Sequence, residues 1–238
     1  MDKNGKRKDF IANIIANMRQ IDYIKPSEIP AIDLYMDQVT TFMDEHLSGL
    51  KRFEDDKMLT KTMINNYTKN DLLPSPDKKK YSKEHMLLLI YIYYFKNVLS
   101  ISDIQSIINP LTERYYKNKD ISLESIYNEV LSLELEHLNT CTKDIIKKYN
   151  NATNTFEDIE GEDKEFLTNF TFICQLCIDV YIKKTLIEKM IDADVLGGKP
   201  FDVKDVKPTK KEAENRNKSD KKKENDKEDM KKESKKEN

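Results

Sequence analysis

The stretch that decides the fold reads TKTMINNYTKNDLLP and spans residues 60–74. Thr60 can cap a helix, because its hydroxyl accepts from a free backbone N–H two or three residues further on. Three apolar residues then share one side at helical spacing: they are Met63, Ile64 and Tyr67. Asp71 tolerates the left-handed backbone that ends a helix, and Pro74 forbids its continuation. The pattern predicts a short helix that ends near Lys69.

The other side of this predicted helix carries only hydrogen-bonding groups and positive charges. These residues are Lys61, Thr62, Asn65, Asn66 and Lys69. Asparagine can pair with an adenine edge through two hydrogen bonds, threonine can contact a base or a phosphate, and lysine neutralises phosphate. We therefore expect Lys61, Thr62, Asn65 and Asn66 to meet bases or adjacent phosphates in a major groove.

A basic turn bounded by prolines follows. Pro74 and Pro76 exclude a helix, and the run from Lys78 to Tyr81 completes an extended turn. Residues 57–83 hold seven lysines and two aspartates, although the chain as a whole has a formal net charge of -2. The side chains expected to anchor the DNA backbone are Tyr67, Lys69, Lys78, Lys79, Lys80 and Tyr81. Such contacts would make binding dependent on salt.

Helical patterns extend outward from this region in both directions. Amphipathic spacing predicts helices at residues 10–18 and 34–47, and Ser82 begins a helix through Phe95 that is apolar on nearly every face and therefore central. A short helix from Ser100 or Ser102 should end before Pro110, and two longer helices should cover about 122–149 and 162–192. The expected class is all-α with at most a short β wing: a winged helix-turn-helix, a helical C-terminal module and a disordered tail.

The predicted organisation has four parts. Residues 1–30 form an amphipathic helix and linker, 31–110 the winged helix-turn-helix, and 111–198 a helical dimerisation or sensing module. Residues 199–238 are rich in Lys, Glu, Asp, Asn and Ser, with too few large apolar residues to offset the entropy of ordering. We expect this last part to be a disordered charged tail.

The order of these elements resembles the DNA-binding domain of the MerR superfamily over about residues 34–108. The resemblance is carried by Tyr67 in the second helix, Leu72-Leu73-Pro74 in the turn, Lys79-Lys80-Tyr81-Ser82 at the wing end, and Leu99-Ser100-Ile101-Ser102-Asp103-Ile104 in the final element. It implies a transcriptional regulator that reads duplex DNA with a recognition helix and a basic wing. The sequence has Asn65 and Lys79 where that family has arginine, and Asp71 where it has glycine.

A second resemblance covers residues 30–110. The segments 29–39 (IPAIDLYMDQV), 59–67 (LTKTMINNY) and 80–85 (KYSKEH) are similar to the bacterial domain-of-unknown-function family 1836. This resemblance implies no activity, but it supports treating these residues as one unit.

No pattern in the sequence indicates catalysis or a bound cofactor. The five glycines form no phosphate-cradling motif. Cys174 and Cys177 form a Cys-x-x-Cys inside an apolar helical run, which favours core packing, and His137 with Cys141 supplies only two of the ligands that a metal site needs. We therefore expect that the protein is not an enzyme and that it binds neither a cofactor nor a metal ion.

Cysteine usage and hydropathy predict the compartment. Three cysteines, all in the second half of the chain, fit a reducing cytosol. The longest apolar run, Met86 to Phe95, is half of the roughly 20 residues that a spanning helix needs. We expect a cytoplasmic protein with no membrane contact.

The predicted partners are double-stranded DNA and a second copy of the chain. The last helix has an apolar sector too broad for one contact, with Phe166, Phe170, Ile173 and Tyr181 at helical spacing. It should be buried on two sides, either within a helical domain or in a homodimer. An unknown effector could bind between the last two helices. The alternative function is a protein–protein interaction module that keeps the winged scaffold without binding DNA.

Overall fold

A computed structural model describes residues 13–14, 23–53, 55–56 and 58–197 of the 238-residue chain. Its α-helices are α1 (Met36–Leu47), α2 (Lys61–Lys69), α3 (Lys83–Phe95), α4 (Ile101–Tyr115), α5 (Leu123–Thr153) and α6 (Gly161–Asp192). Short 3-10 turns lie at Pro26–Glu28, Ser48–Leu50 and Val195–Gly197. The prediction of a mostly helical protein with a small β element is confirmed.

The β element is a two-stranded antiparallel sheet. Strand β1 (Leu34–Tyr35) pairs with β2 (Lys80–Tyr81), so that Leu34 lies opposite Tyr81 and Tyr35 opposite Lys80. The predicted helix over 34–47 therefore begins two residues late, because the first two residues pair with a strand about 46 positions away. The sheet joins the start of α1 to the segment that leads into α3.

Helix α3 forms the centre of the core, as its apolar composition predicts. Leu88, Leu89, Ile90 and Ile92 are all fully buried. A helix that is apolar around most of its circumference is stable only when other elements cover it on several sides. Here α4, α5 and β2 all pack against α3.

Helix α4 contradicts the prediction that it ends before Pro110. It begins after Ser100, whose hydroxyl accepts from the backbone N–H of Asp103, and continues through Pro110 to Tyr115. Proline removes one helical hydrogen bond but does not force termination when packing holds the helix. The buried Ile104 and Ile108 supply that packing. The predicted domain boundary at 110/111 thus falls inside a continuous helix.

Helices α5 and α6 form a long hairpin whose base joins the core. The rings of Tyr149 and Phe172 lie 5.3 Å apart within the hairpin. At the base, the Tyr127 hydroxyl donates a 2.8 Å hydrogen bond to the carbonyl of Ile24. Ile24 and Ile29 are 1% and 3% exposed. The segment 23–30, expected to be a linker, therefore contributes to the core.

Two predictions fall mostly or wholly outside the described residues. Of the amphipathic helix expected at 10–18, only Asn13 and Ile14 are described, and both are helical. The tail expected to be disordered, residues 199–238, lies outside them. Within the described part of the chain, no helix combines the length and apolarity needed to cross a membrane.

Candidate nucleic-acid interface

Helix α2 separates its two faces as the sequence predicts. The Thr60 hydroxyl accepts a 3.2 Å hydrogen bond from the backbone N–H of Met63, which caps the helix. Ile64 and Tyr67 are buried on the inner face. All five predicted polar residues are exposed on the outer face: Lys61, Thr62, Asn65, Asn66 and Lys69. The structure therefore brings this predicted group together on one accessible surface.

The end of α2 is fixed by its turn. Asp71 adopts the predicted left-handed conformation, with φ of 55°. The backbone N–H groups of Leu72 and Leu73 then donate to the carbonyl of Tyr67 at 2.9 and 3.2 Å. Leu72 and Leu73 are each 1% exposed. Because their burial anchors the turn, the outer face of α2 has a fixed orientation relative to the core.

The basic turn is a tight hairpin turn with an unusual backbone. The N–H of Lys80 donates to the carbonyl of Asp77 at 2.8 Å, and Lys78 and Lys79 have φ of 50° and 65°. Positive φ at both central residues is the geometry of a type I′ turn, which normally takes Asn-Gly. The turn therefore displays Lys78 and Lys79 at an exposed tip in a conformation that lysine disfavours.

Two of the predicted lysines interact with aromatic or acidic neighbours. The Lys80 ammonium lies 5.2 Å from the ring centroid of Tyr35, in cation–π geometry. Lys61 forms an ion pair with Asp37 of α1. Among the residues that the structure describes, Lys78 and Lys79 make no ion pair. These two, with Lys69, are the positive charges of the predicted set whose ammonium groups remain available to a phosphate.

Tyr67 and Tyr81 correct the predicted contact set. They are 6% and 3% exposed, so their rings pack in the core and offer little surface to a DNA backbone. Burial raises the pKa of both hydroxyls, and a hydrogen bond with Thr68 partly offsets this rise for the pKa of Tyr81. Tyr67 is buried on α2 and Tyr81 is buried on β2, so both side chains hold these elements against the core and act in positioning.

His85 is a buried ionisable group whose structural role the sequence did not indicate. Its Nδ1 atom accepts a 3.0 Å hydrogen bond from the backbone N–H of Ser82, and its Nε2 atom lies 3.1 Å from the Tyr116 hydroxyl. Its ring also meets Tyr81 edge-on at 5.5 Å. Burial lowers the pKa of His85. His85 and its neighbours Tyr81, Ser82 and Tyr116 form the His85 cluster, which joins the base of the turn to the end of α4. The only sequence signal for it was the Ser82-x-x-His85 spacing at a helix start.

Cys174 and Cys177 do not match the core-packing interpretation of the sequence. Cys177 is exposed and Cys174 and Cys141 are partly exposed, and all three are free thiols. In the described part of the chain, no group of three His, Cys, Asp or Glu side chains is placed to hold a metal ion.

One comparison with known proteins finds a similar family. No curated protein and no solved structure matches the chain. A family model described as "Domain of unknown function (DUF1836)" matches residues 24–130, from the buried Ile24 to Val130 in α5. The matched segment contains α2, the basic turn and the His85 cluster. The part of the chain that carries the candidate interface is therefore similar to the DUF1836 family.

Proposed function

We propose that residues 31–110 bind double-stranded DNA as a MerR-like winged helix-turn-helix, and that the chain is a cytoplasmic transcriptional regulator. One observation carries the proposal: the exposed polar face of α2 and the exposed lysine turn are held by the same small framework. Helix α1 packs against both α2 and β2, and β1 pairs with β2 at the start of α1. Both basic elements are thus fixed relative to each other.

The outer face of α2 would supply base recognition. Asn65 and Asn66 carry the only amides at its centre, and asparagine suits the adenine edge in a major groove. Lys69 lies at the end of the same face, and Lys78 and Lys79 would contact flanking phosphates across the groove edge. Lys61 would have to leave Asp37 to bind a phosphate. We therefore expect Lys61 to contribute less than Lys78 or Lys79.

The test is selection of bound duplexes from a random pool, followed by titration of the enriched sequence. We expect Asn65→Ala/Asn66→Ala to weaken binding by about 1–3 kcal/mol for each asparagine that pairs with a base, and to relax the sequence preference. The matched control is Asn128→Ala/Asn139→Ala, which removes two exposed amides from α5. Absence of any enriched duplex at low salt would contradict the proposal, as would equal effects of the two double variants.

A second copy of the chain is the partner proposed for α6. Exposed uncharged residues follow its outer face at alternating spacings of four and three, the spacing of a coiled-coil seam: they are Phe166, Phe170, Ile173, Cys177 and Val180. Phe166, Phe170 and the adjacent Tyr181 are 67%, 56% and 69% exposed. At 150–250 Å² for a fully buried aromatic, these three alone offer roughly 300–500 Å², a large share of the roughly 800 Å² per partner of a standard interface.

The homodimer has its own test. We expect sedimentation equilibrium to give a dimer for the full chain and a monomer for Ile173→Glu, because a buried unpaired carboxylate opposes association. Val98→Glu is the control, since Val98 is an exposed apolar residue between α3 and α4 and outside the proposed seam. A monomeric parent chain, or a dimer that survives Ile173→Glu, would contradict the proposed seam. A two-fold dimer would also favour an operator with inverted symmetry.

The same surface supports the second candidate function, a protein–protein interaction module. Exposed apolar residues on this scale often mark contacts with other proteins, and the Lys61–Asp37 pair reduces the charge of the candidate interface. If the function is protein binding alone, the selection yields no duplex, and Ile173→Glu abolishes capture of a defined partner. If it is DNA binding, the Asn65/Asn66 variant loses duplex affinity while the oligomeric state is unchanged.

A further inference from the structure

An open groove of about 730 Å³ lies between α4, the end of α6 and the turn that ends α2. Its apolar wall includes Ile107, Pro110, Ile187 and Leu196. A volume of this size falls within the range of small-molecule sites, about 300–1,000 Å³. The groove can therefore accommodate the apolar body of a small organic ligand.

Acidic side chains supply the charge of the groove. Asp71, Glu113 and Asp194 line it, and none of its described lining residues is a Lys, Arg or His. The basic residues in the last turns of α2, α4 and α6 are Lys69, Arg114 and Lys189, and none of them is among the described lining residues. The three carboxylates come from the turn after α2, from α4 and from the segment after α6. The tertiary fold therefore brings three negative charges to the edge of one apolar groove.

The backbone adds further acceptors at the same place. Helices α2 and α6 both end beside the groove, and the C-terminal end of a helix carries partial negative charge. Pro110 has no N–H, so the carbonyl of Ser106 lacks its helical donor, and both residues line the groove. The backbone around the groove therefore offers the partial negative charge of two helix ends and one carbonyl without its helical donor, which suits a ligand with N–H donors.

We infer that this groove binds an organic cation, an ammonium or amidinium group carried on an apolar body. The cationic head would contact Asp71, Glu113 and Asp194, and the apolar body would lie along Ile107 and Ile187. A bare metal ion would leave the apolar wall unused, and an organic anion would meet three carboxylates. An uncharged ligand of the same shape would gain the apolar contact alone.

Such a ligand would act at the end of α2. The Gln105 side chain, in the groove wall, donates a 2.6 Å hydrogen bond to the carbonyl of Asn70. Asn70 and Asp71 themselves line the groove. A cation bound there would therefore bias the conformation of the turn that fixes the outer face of α2. That consequence rests on the proposed DNA-binding function, whereas binding of the cation does not.

The experiment is calorimetric titration of the full chain, without DNA, with three probes of equal length: n-octylammonium, 1-octanol and octanoate. Because exposed ion pairs are individually weak, three of them favour n-octylammonium over 1-octanol by about tenfold. We expect octanoate to bind less tightly than 1-octanol. Raising the salt from about 50 to about 500 mM should weaken only n-octylammonium binding substantially.

Variants locate the site. In Asp71→Asn/Glu113→Gln/Asp194→Asn, the preference for n-octylammonium over 1-octanol should disappear, while asparagine still tolerates the left-handed backbone at position 71. The control Glu45→Gln/Glu129→Gln/Glu162→Gln removes three exposed carboxylates elsewhere and should leave the preference unchanged.

Three results would overturn the inference. They are equal affinities of the three probes for the parent chain, no saturable binding of n-octylammonium, and an unchanged preference in the groove variant. Retention of 1-octanol binding by that variant shows that it is folded. Since no DNA is present, a negative result here is distinct from failure of the proposed DNA binding.

Discussion

The turn that displays Lys78 and Lys79 allows conformation and charge to be separated experimentally. The change is Lys78→Asn/Lys79→Gly, which installs the residues that a type I′ turn prefers and removes two positive charges. Both lysines have positive φ, at 50° and 65°. Most substitutions that weaken binding also risk weakening the fold, whereas this one should stabilise the fold and weaken DNA binding.

The expected magnitudes follow from the turn geometry and from phosphate neutralisation. A left-handed conformation costs a residue other than glycine about 1–2 kcal/mol. Glycine has greater backbone freedom, which stabilises the unfolded chain by about 0.5–1 kcal/mol and so opposes this gain. We expect the free energy of unfolding to rise by about 1 kcal/mol. Removing two lysine–phosphate interactions should reduce the slope of log K against log salt by about 1.8 and lower affinity roughly 10- to 100-fold near 0.1 M salt.

The assay combines urea denaturation with fluorescence anisotropy on the selected duplex at several salt concentrations. Lys78→Arg/Lys79→Arg keeps both charges and both backbone conformations, and should behave like the parent chain. Lys143→Ala/Lys147→Ala removes two exposed lysines from α5 as a charge control. Unchanged affinity and salt slope in Lys78→Asn/Lys79→Gly would refute the role of the turn in DNA binding, and a lower stability would refute the assigned geometry.

Three further predictions concern stability. Burial lowers the pKa of His85, so on acidification the imidazole binds a proton in the unfolded chain before it does so in the folded chain. As the pH decreases from about 6.5, the free energy of unfolding should therefore decrease by up to about 1.4 kcal/mol per pH unit. Urea titrations at pH 7.5 and 5.5 should show a smaller fall for His85→Gln, and equal falls would contradict this origin. Tyr127→Phe should destabilise the fold by about 1–2 kcal/mol because it strands a buried carbonyl. Tyr91→Phe should be neutral or stabilising, since the buried Tyr91 hydroxyl has no hydrogen-bond partner among the described residues. Thr60→Ala should lose about 1 kcal/mol of helix capping, whereas the same change at the exposed Thr62 should have little effect; comparable losses would argue against the cap.

The helix that holds most of the candidate interface was predictable because its determinants are local. The Thr60 cap, the spacing of Ile64 and Tyr67, and the left-handed Asp71 all act within a few residues, and each appears in the structure as the sequence indicates. The central position of α3 was predictable for a related reason: a helix that is apolar on nearly every face needs burial on several sides.

Predictions failed where the outcome depends on distant residues. The sequence favoured a stop before Pro110, but packing around Ile108 extends α4 past it. Tyr81 was expected to belong to a surface wing, but its pairing with Leu34 places it in the core. For the broad apolar sector of α6, the sequence left open burial within one chain or in a homodimer; Phe166 is exposed in the described chain, and the homodimer stays a prediction.

Local chemistry is enough to make residues 60–69 a capped helix with one polar face and to place a basic turn after it. Helical spacing and capping suffice for that, because both operate over one or two turns. Which lysines remain available depends instead on the tertiary structure: Lys61 pairs with Asp37, and Lys80 rests on Tyr35. The convergence of three carboxylates on one groove has the same origin. Such arrangements depend on contacts between residues far apart in the chain, whose positions are set by the packing of the whole core.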